Sequence, residues 1–167
     1  MNHEFQQFMS AWERETKGTI ALLESLPEDQ YDFRPDPLGR SLGELAWHLA
    51  EIDAFTTLGI AQRKFEFPVR PANMTRPRSI AELAPGFASV HGDAVGRVAA
   101  ESDMSAELTY ADGTQKMVRE LLWQRLLLHQ IHHRGQLVLL TRLAGGVPPA
   151  LYGPTREQMP RKAVAAK

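Results

Sequence analysis

The sequence contains no cysteine. Disulfides, cysteine-ligated zinc and a protein thiol nucleophile are therefore excluded. It also lacks a dominant charge: 19 Lys+Arg against 20 Asp+Glu leave a formal net charge of -1. With no basic stripe interleaved with aromatics, nothing in it addresses nucleic acid. No apolar run approaches the roughly 18 residues needed to span a membrane. The polar, amphipathic start Met-Asn-His-Glu-Phe-Gln-Gln reads as no signal peptide. These absences suit a cytoplasmic protein. What is present is ordinary for one globular domain: 167 residues, 43% hydrophobic and 23% charged.

Apolar residues recur at helical spacing in four stretches. The first, from about residue 2 to 26, carries Phe5, Phe8, Met9, Trp12, Ile20, Leu23 and Leu26, and Pro27 stops it. Residues 27–40 hold Pro27, Pro35, Pro37 and Gly39 and read as a connection, with Tyr31 and Phe33 expected to pack it down. Ser41-Leu42-Gly43-Glu44 is a capping box that opens a second helix to about residue 62. Residues 64–78, with Pro68, Pro71 and Pro77, read as a long loop across one end of the bundle, and Arg70, Arg76 and Arg78 as its solvated face. Ser79 and Glu82 suggest a second capping box before a third helix to about residue 102, with a kink or late start at Pro85-Gly86.

Asp112-Gly113 marks a tight turn, around which no sheet is expected, and Thr114 reads as the N-cap of the longest helix. That helix runs to residue 144, where Gly145-Gly146 ends it. It is apolar on two arcs, leaving Gln130, Arg134 and Thr141 as a narrow polar wedge. Such a helix is central in a bundle or covered by a second subunit, so a homodimer is expected. Ala150-Leu151-Tyr152-Gly153-Pro154 reads as an extended arm. The organisation is thus one domain over 1–154 and a polar, Ala-rich tail over 155–167, expected to fray.

Chemistry concentrates in the histidines. At 100° per residue, His129 and His133 lie about 40° apart on the face that carries Val118, Leu122, Leu126, Gln136 and Leu140. Two imidazoles four apart can converge on one metal ion, or can simply be core histidines satisfied by neighbours. His48, on the second helix, shares a face with Leu45, Ile52 and Phe55 and also points inward. Three buried unpaired imidazoles are costly, and one metal satisfies all three. Glu51, one turn from His48, is either a base behind that site or a solvated helix-face carboxylate. His132 lies about 80° to 100° round the helix from His133 and reads as an outer partner or as packing against the first or third helix. Gln136 either orients a ligand or is a buried amide satisfied by backbone. His3 and His91 read as surface or edge residues.

Leu45-Ala46-Trp47-His48-Leu49-Ala50-Glu51 and His129-Gln130-Ile131-His132-His133-Arg134-Gly135-Gln136-Leu137 together resemble the DinB family and its YfiT-type hydrolase and thiol-transferase relatives. The trailing Gly-Gly-Val-Pro-Pro-Ala-Leu-Tyr-Gly-Pro is similar to that family's C-terminal arm. The resemblance implies an all-α four-helix bundle, commonly dimeric, with one divalent metal on His48, His129 and His133. Zinc and nickel suit three imidazoles, with iron and manganese as alternatives. Several relatives in the family that this chain resembles transfer a low-molecular-weight thiol such as bacillithiol, mycothiol or glutathione, or isomerise maleylpyruvate with thiol help, while many other members have no assigned activity. Three neutral ligands leave the ion an open position at which water or a thiol loses its proton more readily. Thiol transfer or hydrolysis on a small electrophile is one reading. A non-catalytic metal or small-ligand binding protein of the stress-response kind is another, and a plain bundle whose histidines only pack is a third.

Overall fold

Four helices carry the chain: α1 (His3–Glu24), α2 (Leu42–Ala61), α3 (Leu83–Ala99) and α4, made of three consecutive pieces. Those pieces are an α-turn Val118–Glu120, a π-helical stretch Leu121–Leu128 and an α-helical stretch His129–Leu143. A small sheet joins one end, with β1 (Lys64–Phe65), β2 (Glu107–Tyr110) and β3 (Gln115–Met117) in that spatial order. β1 runs parallel to β2, and β2 antiparallel to β3 with Glu107 opposite Met117. This computed structural model describes residues 3–65 and 74–159. Pro68, Arg70 and Pro71 of the expected loop, and most of the expected tail, lie outside the described residues. Among the described residues no helix is long and apolar enough to cross a membrane.

The helix starts follow local chemistry. Ser41 Oγ accepts from the Glu44 N–H at 3.2 Å while the Glu44 carboxylate accepts from the Ser41 N–H at 3.0 Å. Such a cap is worth about 1 kcal/mol, and it fixes where α2 begins, at Leu42, ahead of His48 on the same helix. The connection before it is strapped down by Tyr31, whose hydroxyl donates to the Pro77 carbonyl at 2.6 Å. A Cβ on Gly43 would fall 2.3 Å from the Tyr31 ring, so only glycine fits beneath that strap.

Several local expectations are corrected. No Ser79 cap forms: its hydroxyl donates to the Glu82 side chain at 2.8 Å, a 3-10 turn covers Ile80–Glu82, and α3 starts late, at Leu83. The sheet that was not expected exists, because Asp112-Gly113 closes a hairpin with Gly113 at φ 82°. Its strands are too short to show an alternating pattern. Thr114 therefore does not cap α4; its N–H and hydroxyl bond Asp112 Oδ1 at 2.9 and 2.6 Å, and the helix begins at Val118. Within the expected tail, Glu157 accepts from Arg142 Nε at 2.9 Å.

The core comes in two apolar clusters. One gathers Leu22, Leu45, Trp47, Phe87, Leu137 and Leu140. The other gathers Phe8, Trp12, Ile60, Val98, Leu108 and Leu126. Between them, at the middle of every helix, runs a belt of buried polar residues: Glu15 and Thr19 on α1, Asp53 and Thr57 on α2, Gln130 and Arg134 on α4. His91 occupies the same level on α3, between Phe87 and Ala94. The expected solvent-facing wedge is thus wrong: Gln130 and Arg134 are each 2% exposed and Thr141 is 0% exposed. Gln130 and Arg134 are buried because partners on α2 and α1 satisfy them, which intrahelical spacing does not reveal, and the Thr141 hydroxyl donates to the Leu137 carbonyl of its own helix at 2.7 Å.

Candidate metal centre

The polar belt has a closed part. Asp53, fully buried, accepts from His91 Nδ1 at 2.8 Å and from Gln130 Nε2 at 2.6 Å. Gln130 Nε2 also reaches the Leu49 carbonyl at 3.1 Å, and His91 Nε2 lies 3.3 Å from Thr16 Oγ1. All four helices meet in this network. Burial pushes the Asp53 carboxyl above its ordinary range, against the pull of the His91 bond. Beside it, the Arg134 guanidinium pairs with the Glu15 carboxylate and donates to the Glu15 carbonyl at 2.6 Å, while the Tyr152 hydroxyl bonds both side chains. Burial raises the Glu15 carboxyl, but the bonds from Tyr152 and Arg134 hold it below its usual value. His91, expected at an edge, is therefore half-buried and fully partnered.

The other part of the belt is open and consists of His48 on α2 with His129 and His133 on α4. One nitrogen from each lies within 4.8 Å of the others, a group that could hold a metal ion. The rings approach at centroid distances of 5.8 Å for His48–His129, 4.7 Å for His48–His133 and 4.7 Å for His129–His133. The Nε2 atoms of His129 and His133 are 2.9 Å apart.

Each ring is held from behind. Glu51 Oε2 lies 3.0 Å from His48 Nδ1; a carboxylate only accepts, so this nitrogen carries the proton and Nε2 keeps its lone pair. Gln136 Oε1, 2.7 Å from His133 Nδ1, imposes the same tautomer there. His129 has a backbone hydrogen bond to Arg125. Burial, then the neighbouring His133, Arg125 and His48, lower the His129 pKa to about 4. Burial also lowers His133, with the Gln136 bond opposing. Both rings are thus neutral near pH 7, as ligands must be.

Gln136 was expected to face inward; it is exposed, and it reaches the triad from the rim while its Nε2 donates to His132 Nε2 at 3.1 Å. His132 is likewise exposed, with its ring 5.0 Å from that of His133. His3 bonds within its own helix, with Gln7 at 3.1 Å. Sequence reasoning missed Asp53 and Gln130, whose partners are 38 and 77 residues away. The available signal was a lone Asp in the apolar run of α2. It also missed the π-helical stretch, which ends where His129 begins, a position at which such irregularity often marks a functional site.

A helical bundle with a small sheet, carrying three imidazoles from two helices around one point, defines a candidate metal-binding protein. The chain belongs to the DinB superfamily, which it matches over residues 11–137. It is 27% identical over 162 residues to an uncharacterized protein, YrdA, of Bacillus subtilis strain 168, covering 95% of this chain and 93% of that one. A solved DinB-like protein from Bacillus cereus ATCC 10987 superposes with a TM-score of 0.71 at 27% identity, covering 88% of this chain and 97% of that one. A DinB-like protein, YjoA, from Bacillus subtilis shares the fold with a TM-score of 0.71 at 22% identity, over 87% and 96% of the two chains.

Proposed function

We propose that this protein binds one divalent metal ion through His48, His129 and His133 and uses it enzymatically against a small electrophile, by thiol transfer or hydrolysis. The observation that carries the reading is the convergence of three imidazoles from two helices, with one nitrogen of each within 4.8 Å of the others. The donor set fits: Nδ1 of His48 and of His133 is engaged by Glu51 and Gln136, which leaves the Nε2 lone pairs for the ion. Three nitrogens suit zinc or nickel, with iron or manganese as alternatives. A bound ion would supply positive charge and an open position that eases loss of a proton from a water or thiol held there. With no cysteine in the chain, a thiol would come from a low-molecular-weight cosubstrate, which suits a cytoplasmic setting.

Glu51 fixes the orientation of His48 by accepting from its Nδ1–H. Its commitment to His48 is also what favours the second reading, a non-catalytic metal or small-ligand binding protein, because it leaves that carboxylate less available as a base. A homodimer is part of the proposal: Leu128, Leu139 and Leu143 are 56%, 59% and 56% exposed along α4, an apolar strip that a second copy would cover. Light scattering tests this, and a monodisperse monomer mass would end it.

Cobalt-substituted protein titrated with several low-molecular-weight thiols from about pH 5 to 9 decides between the chemistries. A sulfur-to-metal charge-transfer band that grows with pH supports thiol transfer. If no thiol perturbs the spectrum of fully loaded protein at millimolar concentration, hydrolysis or ligand binding takes its place.

A further inference from the structure

The groove between α2 and α4 does not stop at the three histidines. At 100° per residue, Gln136, Leu140 and Leu143 continue the face of α4 that carries His129 and His133, all within an arc of about 80°. Leu45 does the same on α2, one turn before His48. These residues border a cavity of about 270 Å³, whose wall is completed by Leu139 and by Pro35 and Arg40 of the connection before α2. It is smaller than the 300–1,000 Å³ typical of drug-sized ligands, so it suits a molecule of a few carbons.

Its walls divide by polarity. Gln136 and Arg40 are the polar part, and both belong to the histidine end. Gln136 accepts from His133 Nδ1 at 2.7 Å, and after burial and the His48 and His132 rings, the Arg40 charge helps keep His133 neutral. The apolar part runs away from the histidines, over Leu140 to Leu143, about 10 Å beyond Gln136 at 1.5 Å per residue. Arg40 is exposed and makes no hydrogen bond or ion pair among the described residues. The acidic groups nearest it in the chain are engaged elsewhere: Asp36 Oδ1 accepts from the Leu38 N–H at 3.0 Å, and Glu44 holds the Ser41 N–H, Arg34 and Arg76. Neither borders the cavity. The sheet, where Phe65 packs on Gly59, is at the opposite end of α2, about 20 Å from Leu45 along the helix.

We propose that this cavity binds a small acid with a short hydrocarbon body, the carboxylate on Arg40 and the hydrocarbon over Leu140 and Leu143. A planar guanidinium can donate two parallel charge-assisted bonds to a carboxylate, and the leucines reward each CH2 taken out of water. As the seat of a substrate the cavity rests on the metal reading above, and it assigns the class of the small electrophile: an amphipathic monocarboxylate whose acid group lies at the histidine end. As a binding site it stands on its own walls. Leu139 and Leu143 also belong to the strip assigned above to a second copy, so a second copy is the rival occupant.

The test titrates hexanoate, butanoate and 1-hexanol into zinc-loaded and metal-free protein, following the backbone amides of Gln136 and Leu140 by NMR. Hexanoate should bind at least about tenfold tighter than 1-hexanol, the effect of one charge-assisted contact. It should exceed butanoate by about tenfold as well, the effect of two more buried CH2 groups. In Arg40→Gln, a change that strands no partner, the first ratio should fall to about one and the second should hold. Leu143→Gln should lower the second ratio and spare the first. Equal affinities for hexanoate and 1-hexanol in the native protein, or a first ratio that survives Arg40→Gln, would overturn the proposal. So would hexanoate binding that requires zinc, because the ion alone would then hold the acid. Light scattering of the same samples addresses the rival: if only the monomer binds hexanoate, the cavity belongs to a second copy and the proposal falls. Failure of the metal reading is separate, and shows as protein that takes up no zinc yet binds hexanoate with the same preferences.

Discussion

The two parts of the polar belt contain similar chemistry and opposite solutions. In the closed part every histidine and carboxylate finds its complement within the chain: His91 faces Asp53, and Arg134 faces Glu15 and Tyr152. In the open part three histidines face one another, and Glu51 and Gln136 stand behind them instead of between them. A half-buried histidine given a carboxylate is a structural cross-link. Half-buried histidines aimed at each other are an arrangement that gains most from an added cation. The closed part should therefore set stability and the open part metal affinity, and each can be broken without the other.

The largest effect is expected from Arg134→Leu. It strands the Glu15 carboxylate and the Tyr152 hydroxyl, and removing one partner of a buried pair costs about 3–5 kcal/mol. Urea unfolding should show it, with metal stoichiometry unchanged under native conditions. Asp53→Ala comes next, at about 1–3 kcal/mol, because His91 Nδ1 and Gln130 Nε2 lose their acceptor. If it instead abolishes metal binding at full native structure, the division of labour fails.

Glu51→Gln acts on the open part. Loss of the carboxylate behind a ligating imidazole typically weakens a metal about 10–100-fold. Metal-free stability should move by no more than about 0.5 kcal/mol, since the residue is half-exposed. Competition with a chelator of known affinity measures the first, and urea unfolding the second.

The smallest effect is a pH slope. His129 has a folded pKa of about 4, below the unfolded value near 6.5, and His133 is also lowered. The unfolded chain therefore binds more protons between those values. This contribution is fully present above about pH 6.5 and is lost as pH falls towards 4. Metal-free protein should lose stability over that window, and His129→Gln should flatten part of the slope. An unchanged slope would mean that His129 is not the neutral, half-buried ring described.

The open part was legible in the sequence because its signal is local. His129 and His133 stand four apart on an apolar face, and His48 sits on a capped helix whose start is spelled out by Ser41 and Glu44. The bundle itself was readable from helical periodicity for the same reason. The closed part was not legible. A Gln, an Arg and a Thr on one side of a helix look like a solvated wedge, and the partners that satisfy Gln130 and Arg134 come from α2 and α1. The hairpin was hidden by the brevity of its strands, and the π-helical stretch by its composition: Leu121, Leu122, Leu126, Leu127 and Leu128 are apolar whichever way the turn is wound.

Elemental analysis tests the central claim most directly. The native protein, His129→Ala and His91→Phe are equilibrated with zinc, freed of excess metal and assayed per chain. The account predicts about one ion in the native protein and in His91→Phe, and none in His129→Ala. Native protein without metal, or His129→Ala that retains it while His91→Phe loses it, would contradict the account.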